Sequence, residues 1–168
     1  MIQIQACARR DEFDIAHAML VEMGRWAAAE AGGLGIPDAD DVLGAYYGAP
    51  QDALMSKFTE PDAAFYLARW KDDPAGCFGF SRSADGIAEV QKFYVRPEVR
   101  GNGIAKALMT AGIAEMQKKS YAKARLVTTT FMREAIVLYT AFGFQRCAPF
   151  LAIPENFVPI TIFMERPI

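Results

Sequence analysis

Two glycines separated by one residue carry the clearest chemical signal in the chain. Gly101 and Gly103 follow an extended run of aromatic and β-branched residues, and a helical pattern begins directly after them. Glycine has no Cβ, so the backbone of such a loop can approach a ligand closely. The first turn of a helix leaves its N–H groups unpaired and favours anions. The stretch 88–106 therefore predicts an anion site, and our working hypothesis is a pyrophosphate.

Nucleotide-binding loops are the first alternatives for such a site. A nucleoside-triphosphate loop needs Gly-x-x-x-x-Gly-Lys-Ser/Thr, which is absent. A dinucleotide fingerprint needs Gly-x-Gly-x-x-Gly directly after the first strand of a βαβ unit. Here Lys106 stands where the third glycine or small residue should be, and several elements precede the loop. Both nucleotide interpretations therefore fit poorly.

The elements around the loop are predicted from hydrophobic periodicity. Alternation predicts a strand over 1–8, and helical spacing predicts a helix over 13–31 with Asp11 as its cap. A shorter helix is expected from Pro37, whereas 48–61 stays open between helix and loop. Further strands are predicted over 63–70, 77–81 and 87–95, then a helix of about four turns after the loop. The remaining elements are a strand over 125–130, a helix over 133–142 closed by Gly143, and a strand pair over 144–148 and 160–165.

These elements indicate an α+β fold with a mixed sheet. Turn residues between the three central strands favour an antiparallel meander. The long helix before strand 125–130 implies that this strand pairs in parallel with the one ending at Val95. At 168 residues, the chain is expected to form a single domain over 1–168.

Composition narrows the partners and the compartment. The chain is 52% hydrophobic and 23% charged, with a formal net charge of −2 and a pI of about 5.5. Such values do not favour nucleic acid or an anionic membrane as a partner. The N-terminus lacks the basic and apolar regions of a signal peptide. The three cysteines, Cys7, Cys77 and Cys147, have no metal-ligand spacing, so we expect reduced thiols, no metal and a cytoplasmic location.

Three motifs together resemble one known family. Arg100-Gly101-Asn102-Gly103-Ile104-Ala105 resembles the Arg/Gln-x-x-Gly-x-Gly/Ala signature of the GNAT superfamily of N-acetyltransferases. The stretch 93–98 is similar to that family's fourth strand and its exit. The stretch 135–139 with Gly143-Phe144 is similar to its Ala-x-x-Leu-Tyr-x-x-x-Gly-Phe motif. The resemblance implies an acyl-CoA N-acyltransferase fold, in which a mostly antiparallel sheet splays between its fourth and fifth strands and is flanked by helices.

The same resemblance implies acetyl-coenzyme A as the donor. Its pyrophosphate would lie on the N–H groups of 101–105, with charge from Arg100 and Lys106. The N–H of Phe93 would face the acetyl carbonyl, and Val95 would face the pantetheine. The position that is often Asn in the family is Met132 here, which removes one polar contact to that arm. The implied donor-binding residues are Phe93, Tyr94, Val95, Arg100, Gly101, Asn102, Gly103, Ile104, Ala105, Lys106, Met132, Ala135 and Tyr139.

Acetyl transfer to an amine requires two proton movements. An amine attacks only when neutral, so a base near the acceptor is useful, and the departing thiolate needs an acid. By resemblance, Glu89 is the candidate base and Tyr139 the candidate acid. On a regular strand Glu89 and Phe93 would share a face, which a bulge would alter. The structural alternatives are a solvated Glu89 paired with Lys92 and a Tyr139 packed in the core.

The acceptor is less well specified than the donor. Trp26, Tyr46 and Tyr47 could line an acceptor pocket, although ordinary packing accounts for each equally well. The acceptor is expected to be an amine of a small molecule, amino acid or protein, and the acidic pI favours a basic or neutral one. The alternative function is a non-catalytic acyl-CoA-binding sensor of the same fold. The resemblance also admits a homodimer.

Overall fold

A seven-stranded sheet forms the centre of the structure, a computed structural model that describes residues 1–168. The strands are β1 (Ile2–Ala6), β2 (Ala64–Trp70), β3 (Asp73–Ala84), β4 (Ile87–Val95), β5 (Lys123–Thr129), β6 (Gln145–Arg146) and β7 (Thr161–Pro167). Their order across the sheet is β1-β2-β3-β4-β5-β7-β6. Only β4 and β5 pair in parallel, and every other pairing is antiparallel. The predicted mixed sheet and its one parallel pair are confirmed.

Five helices cover the two faces of the sheet. They are α1 (Arg10–Gly33), α2 (Ala39–Tyr47), α3 (Gln51–Phe58), α4 (Ile104–Lys118) and α5 (Arg133–Ala141). One core cluster of 20 buried residues joins α1, α2 and α3 to the sheet. A second cluster of 18 joins α4 and α5 to the opposite face. None of these helices has the length and hydropathy needed to cross a membrane.

Several predicted bounds differ from the structure. β3 is longer than predicted, since it runs through Pro74 and Gly76. A Cβ on Gly76 would lie 2.6 Å from the carbonyl oxygen of Tyr94, so this glycine allows close pairing with β4 rather than ending the strand. The open stretch 48–61 contains α3. β6 keeps only two paired residues, and a 3₁₀ turn at Glu155–Ile160 precedes β7.

The N-terminus of α1 is capped by Glu12, so the prediction of Asp11 was wrong. Asp11 lies inside the first turn and pairs with Arg9 in solvent. The Glu12 carboxylate instead accepts the backbone N–H groups of Ala8 and Arg9, both at 2.8 Å, and a bond from the Gln5 amide. These backbone donors lower the pKa of Glu12. The Glu12 side chain is long enough to reach back to the start of the helix, whereas the shorter Asp11 side chain points into solvent.

We expect Glu12→Ala to lower the free energy of unfolding by about 0.5–2 kcal/mol near neutral pH, because two backbone N–H groups at the start of α1 lose their acceptor. The lowered pKa means that this contribution is present above the ordinary value of 4.5 and is lost as the pH falls through the folded-state value. Urea denaturation of both proteins at neutral and at acid pH measures the difference. Asp11→Ala is the matched control with a much smaller effect, and equal losses for the two variants would contradict the assignment.

Candidate active site

The parallel pair β4–β5 opens along its length. The two strands pair only where Ile87–Glu89 lie opposite Lys123–Arg125. Beyond Glu89 they separate, and a cavity of about 650 Å³ lies in the gap. Its walls come from β4, β5, the start of α4, α5 and aromatic residues of α1 and α2. The splay between the fourth and fifth strands, which the resemblance implied, is therefore present.

A β-bulge at Lys92 reshapes β4 next to this gap. Gly79 pairs with Gln91 and Cys77 with Tyr94, so β4 carries one residue more than β3 between the two pairs. Lys92 has φ = +56°, a left-handed conformation that is uncommon for a residue with a side chain. The Cys77 thiol donates to the Lys92 carbonyl oxygen at 3.3 Å. This contact holds the bulge from the neighbouring strand.

The bulge reverses the side-chain alternation of β4. Ala88 and Val90, before it, belong to the α4–α5 cluster, and so do Phe93 and Val95 after it. Glu89 therefore points to the face opposite to Phe93. The expectation of a shared face applied to a regular strand and is wrong for this one.

Backbone N–H groups of β4 face the gap. The N–H of Arg96 donates to Ala75 on β3 at 2.9 Å, so alternation directs the amides of Phe93 and Val95 toward β5. The β5 ladder has ended by this point, so these edges have no strand partner. At Val95, the carbonyl oxygen accepts a hydrogen bond from the Arg100 Nε at 3.0 Å, so this edge group has a side-chain partner. The Phe93 amide is thus directed to the part of the gap where β5 offers no partner.

The glycine loop lies at the start of α4, as predicted. Gly101 and Gly103 both have φ = +82°, and Gly103 is the N-cap residue. A Cβ on Gly101 would meet nothing within 4 Å, and one on Gly103 would meet only Ile2 at 3.9 Å. Backbone conformation, rather than crowding by the protein, therefore requires glycine here. The space above both glycines is open to a ligand.

Two side chains of the loop have different environments. Arg100 lies between the Val95 carbonyl and the Glu134 carboxylate, whose oxygen is 3.6 Å from the guanidinium. Asn102 lies outside the cavity wall, and its amide donates to the Val99 carbonyl at 2.9 Å. Its side chain holds the loop shape, so of the predicted donor-binding residues Asn102 is the one that does not line the cavity.

Tyr139 lies on α5 and faces the cavity. The residue is 6% exposed. The centroid of its ring lies 6.1 Å from that of Phe93 and 5.9 Å from that of Phe144. Gly143, at φ = +87°, closes α5 and lets the N–H of Phe144 donate to the Tyr139 carbonyl at 3.0 Å. Burial, with a smaller contribution from Tyr46, raises the pKa of the Tyr139 phenol. The phenol is therefore protonated at neutral pH and can donate a proton.

Aromatic residues from α1 and α2 complete the wall. Tyr46 and Tyr47 meet edge to face with centroids 4.7 Å apart, and Trp26 meets Phe131 at 5.8 Å. Burial raises the pKa of Tyr47. Tyr46 is 46% exposed as a whole, yet loss of water near its hydroxyl and the charge of Glu89 raise its pKa to about 12. All three predicted acceptor residues therefore lie at the cavity.

Glu89 does not line the cavity. Its carboxylate accepts a hydrogen bond from the Gln91 amide, and it forms no ion pair with Lys92. The ion pair with Lys92 that the structural alternative expected is absent, and the role of Glu89 as a base stays a prediction.

Lys92 and Thr128 are two of the polar residues of the cavity wall that sequence reasoning missed. Lys92 was considered only as an ion-pair partner, although it lines the cavity. Thr128 is 4% exposed, lines the cavity, and its hydroxyl has no hydrogen-bond partner. The alternation of β5 could have placed Thr128 beside the gap, whereas no pattern signals the bulge at Lys92.

Comparison with known proteins agrees with this geometry. The model of the acetyltransferase (GNAT) family matches residues 26–144. The uncharacterized N-acetyltransferase YjgM of Escherichia coli is 31% identical over 97 residues, 56% of this chain and 58% of that protein. The IAA acetyltransferase of Azospirillum brasilense is 29% identical over 136 residues, which cover 79% of this chain and 88% of that one.

A solved structure shares the fold at low identity. The PaiA N-acetyltransferase of Thermoplasma acidophilum, in complex with coenzyme A, superposes with a TM-score of 0.76 at 17% identity, covering 100% of this chain and 99% of that one. The family match extends from Trp26 through the glycine loop to Phe144. This match, which covers more than half of the chain, shows that the chain belongs to the acetyltransferase (GNAT) family.

Proposed function

We propose that this protein transfers the acetyl group of acetyl-CoA to the primary amine of a small molecule, amino acid or protein by direct attack. The observation that carries the proposal is the β4–β5 gap, where Phe93 has no β5 partner and its ring centroid lies 6.1 Å from that of Tyr139. An amide aimed at a thioester carbonyl stabilises the negative charge that develops on attack. Such a contact contributes roughly 3 kcal/mol to barrier lowering.

The groups that line the cavity support coenzyme A as the donor. The glycine loop and the first turn of α4 offer unpaired N–H groups to the pyrophosphate, and Lys106 adds a cation at the same end. The edge of β4 at Phe93 and Val95 can pair with the pantetheine amides as an added strand would. The unpartnered Thr128 hydroxyl offers one more polar contact inside the gap.

Two residues move protons in this proposal. Tyr139 donates its phenolic proton to the departing thiolate, which is chemically suitable because the phenol is held neutral. Glu89 accepts the proton of the amine through water, since its carboxylate lies outside the cavity wall. We further propose that residues 1–168 act as one domain, in the cytoplasm, and that no metal is involved.

The test of the activity is thiol release from acetyl-CoA in the presence of a broad panel of amines. Release that depends on both substrates, with an acetylated product identified by mass spectrometry, supports the transferase. Tight binding of acetyl-CoA with no release across the panel would support the non-catalytic sensor instead.

Glu89→Gln should lower kcat/KM near neutral pH by roughly a hundredfold or more, because the amine loses its proton acceptor. The loss should shrink as the pH rises and the free amine deprotonates in solution. The pH profiles of kcat/KM for the two proteins provide the measurement. Profiles of identical shape and height would remove Glu89 from the mechanism.

A further inference from the structure

Lys92 places a cation on the acceptor side of the cavity without a counter-ion. Its ammonium donates to the Tyr46 carbonyl and lies 3.9 Å from the centroid of the Tyr46 ring and 5.6 Å from that of Tyr47. No carboxylate lies within 4.0 Å, the limit for an ion pair. An ammonium has three N–H donors, so two have no acceptor from the protein.

The groups around the Lys92 ammonium do not compensate its positive charge. Burial and, less strongly, the nearby cation of Lys57 on α3 lower the pKa of Lys92 to about 8. The thiol of Cys77 on β3 and the carboxylate of Glu89 on β4 act in the opposite direction but do not restore the ordinary value. The phenols of Tyr46 and Tyr47 on α2, which face the ammonium, have raised pKa values and are neutral near pH 8. Glu89 is also held by the Gln91 amide rather than by Lys92.

The position of Lys92 in the chain links it to the reaction. It immediately precedes Phe93, whose amide faces the proposed acetyl carbonyl. The bulge directs the Lys92 side chain toward α2 instead of leaving it on the α4–α5 face. An acceptor that approaches the thioester along the Tyr46 and Tyr47 rings therefore passes this cation. A partly buried ammonium with free donors is stabilised when a ligand supplies an anion.

We propose that Lys92 binds a carboxylate of the acceptor, so that the substrate is an amine that also carries a carboxylate, as in an amino acid with an apolar body. The proposal rests on the acetyltransferase function above and specifies its substrate class. The apolar part packs against the aromatic wall formed by Trp26, Tyr46 and Tyr47. It narrows the expectation of a basic or neutral amine to one that also carries a carboxylate, on the ground of the local charge at the cavity.

Matched amine pairs that differ only by the carboxylate test this proposal. Phenylalanine with phenylethylamine, and leucine with isoamylamine, are measured at saturating acetyl-CoA. The natural protein should favour the carboxylated member by at least about tenfold in kcat/KM, the size of one hydrogen-bonded charge contact. Lys92→Met should abolish this preference and Lys92→Arg should retain it. Lys118→Met, an exposed lysine on α4, is the surface control.

The pH dependence separates a charge contact from packing. In the natural protein the preference should fall as the pH rises above about 8, because the ammonium loses its proton. In Lys92→Arg it should persist, since a guanidinium stays charged. A preference that survives in Lys92→Met, or a carboxylate-free amine used equally well by the natural protein, would overturn the inference while leaving the transferase function intact.

Calorimetry keeps the inference testable without turnover. If no amine is acetylated, the proposed function fails, and binding of phenylalanine and phenylethylamine to the coenzyme A-saturated protein is compared instead. Tighter binding of phenylalanine that is lost in Lys92→Met supports the carboxylate site. Equal binding of the two ligands contradicts it.

Discussion

Tyr139→Phe is expected to lower kcat by between about a hundredfold and ten-thousandfold, the range for loss of a positioned acid, with the KM for acetyl-CoA nearly unchanged. The reason is that the phenol acts only when the thiolate leaves, while its ring packs against Phe93 and Phe144 in both proteins. Steady-state kinetics over both substrates measures the two effects separately. Because its pKa is raised, ionisation of Tyr139 should not limit the natural enzyme at neutral or mildly alkaline pH.

Tyr121→Phe is the matched control for that substitution. Tyr121 is also buried, meets Phe80 edge to face, and donates its hydroxyl proton to the Asp62 carbonyl, but it lies outside the cavity. Its loss should lower stability and leave kcat unchanged. A kcat for Tyr139→Phe equal to that of the natural protein over the full pH range would exclude Tyr139 as the acid.

Gly103→Ala is expected to weaken coenzyme A binding by at least about tenfold, measured by calorimetry. The left-handed conformation at φ = +82° costs a residue with a Cβ roughly 1–2 kcal/mol, so the loop relaxes away from the geometry that presents its amides. The added methyl also occupies the open space in which the pyrophosphate is proposed to lie. Both effects act on the donor and neither on the amine.

Gly35→Ala separates strain from ligand contact. Gly35 has φ = +79°, meets nothing within 4 Å of a built Cβ and lies after α1, outside the cavity wall. It should lose similar stability while coenzyme A binds normally. If Gly103→Ala folds and binds coenzyme A as the natural protein does, the pyrophosphate does not lie on this loop.

The donor side of the site was largely predictable because its signals are local. The helix start with its glycines, the position of Tyr139 on α5 and the Gly143 cap each depend on residues close together in the chain. Helical and strand periodicity likewise predicted α1, α2, α4 and β4. The parallel β4–β5 pairing followed from the length of the crossover.

The acceptor side was less predictable because it depends on one irregular residue. Glu89 and Phe93 share a face only on a regular strand, and the residue pattern of β4 does not show whether a bulge lies between them. The importance of Lys92 depends on Tyr46, 46 positions away, and on the lack of a nearby carboxylate. Such a balance of charges exists only in the folded protein.

The gap between β4 and β5 also bears on how the protein avoids misassembly. Unpaired strand edges are templates for pairing with other chains, and proteins usually protect them at the margins of a sheet. Here such an edge lies inside the sheet, with β5 and β7 paired beyond it and α4 and α5 packed on one face. A strand of another protein therefore cannot pair with this edge side by side. The narrow pantetheine arm, in the proposed function, enters along the gap. Because it lies in the interior of the sheet, this unpaired edge can bind a ligand without exposing the protein to aggregation through strand pairing.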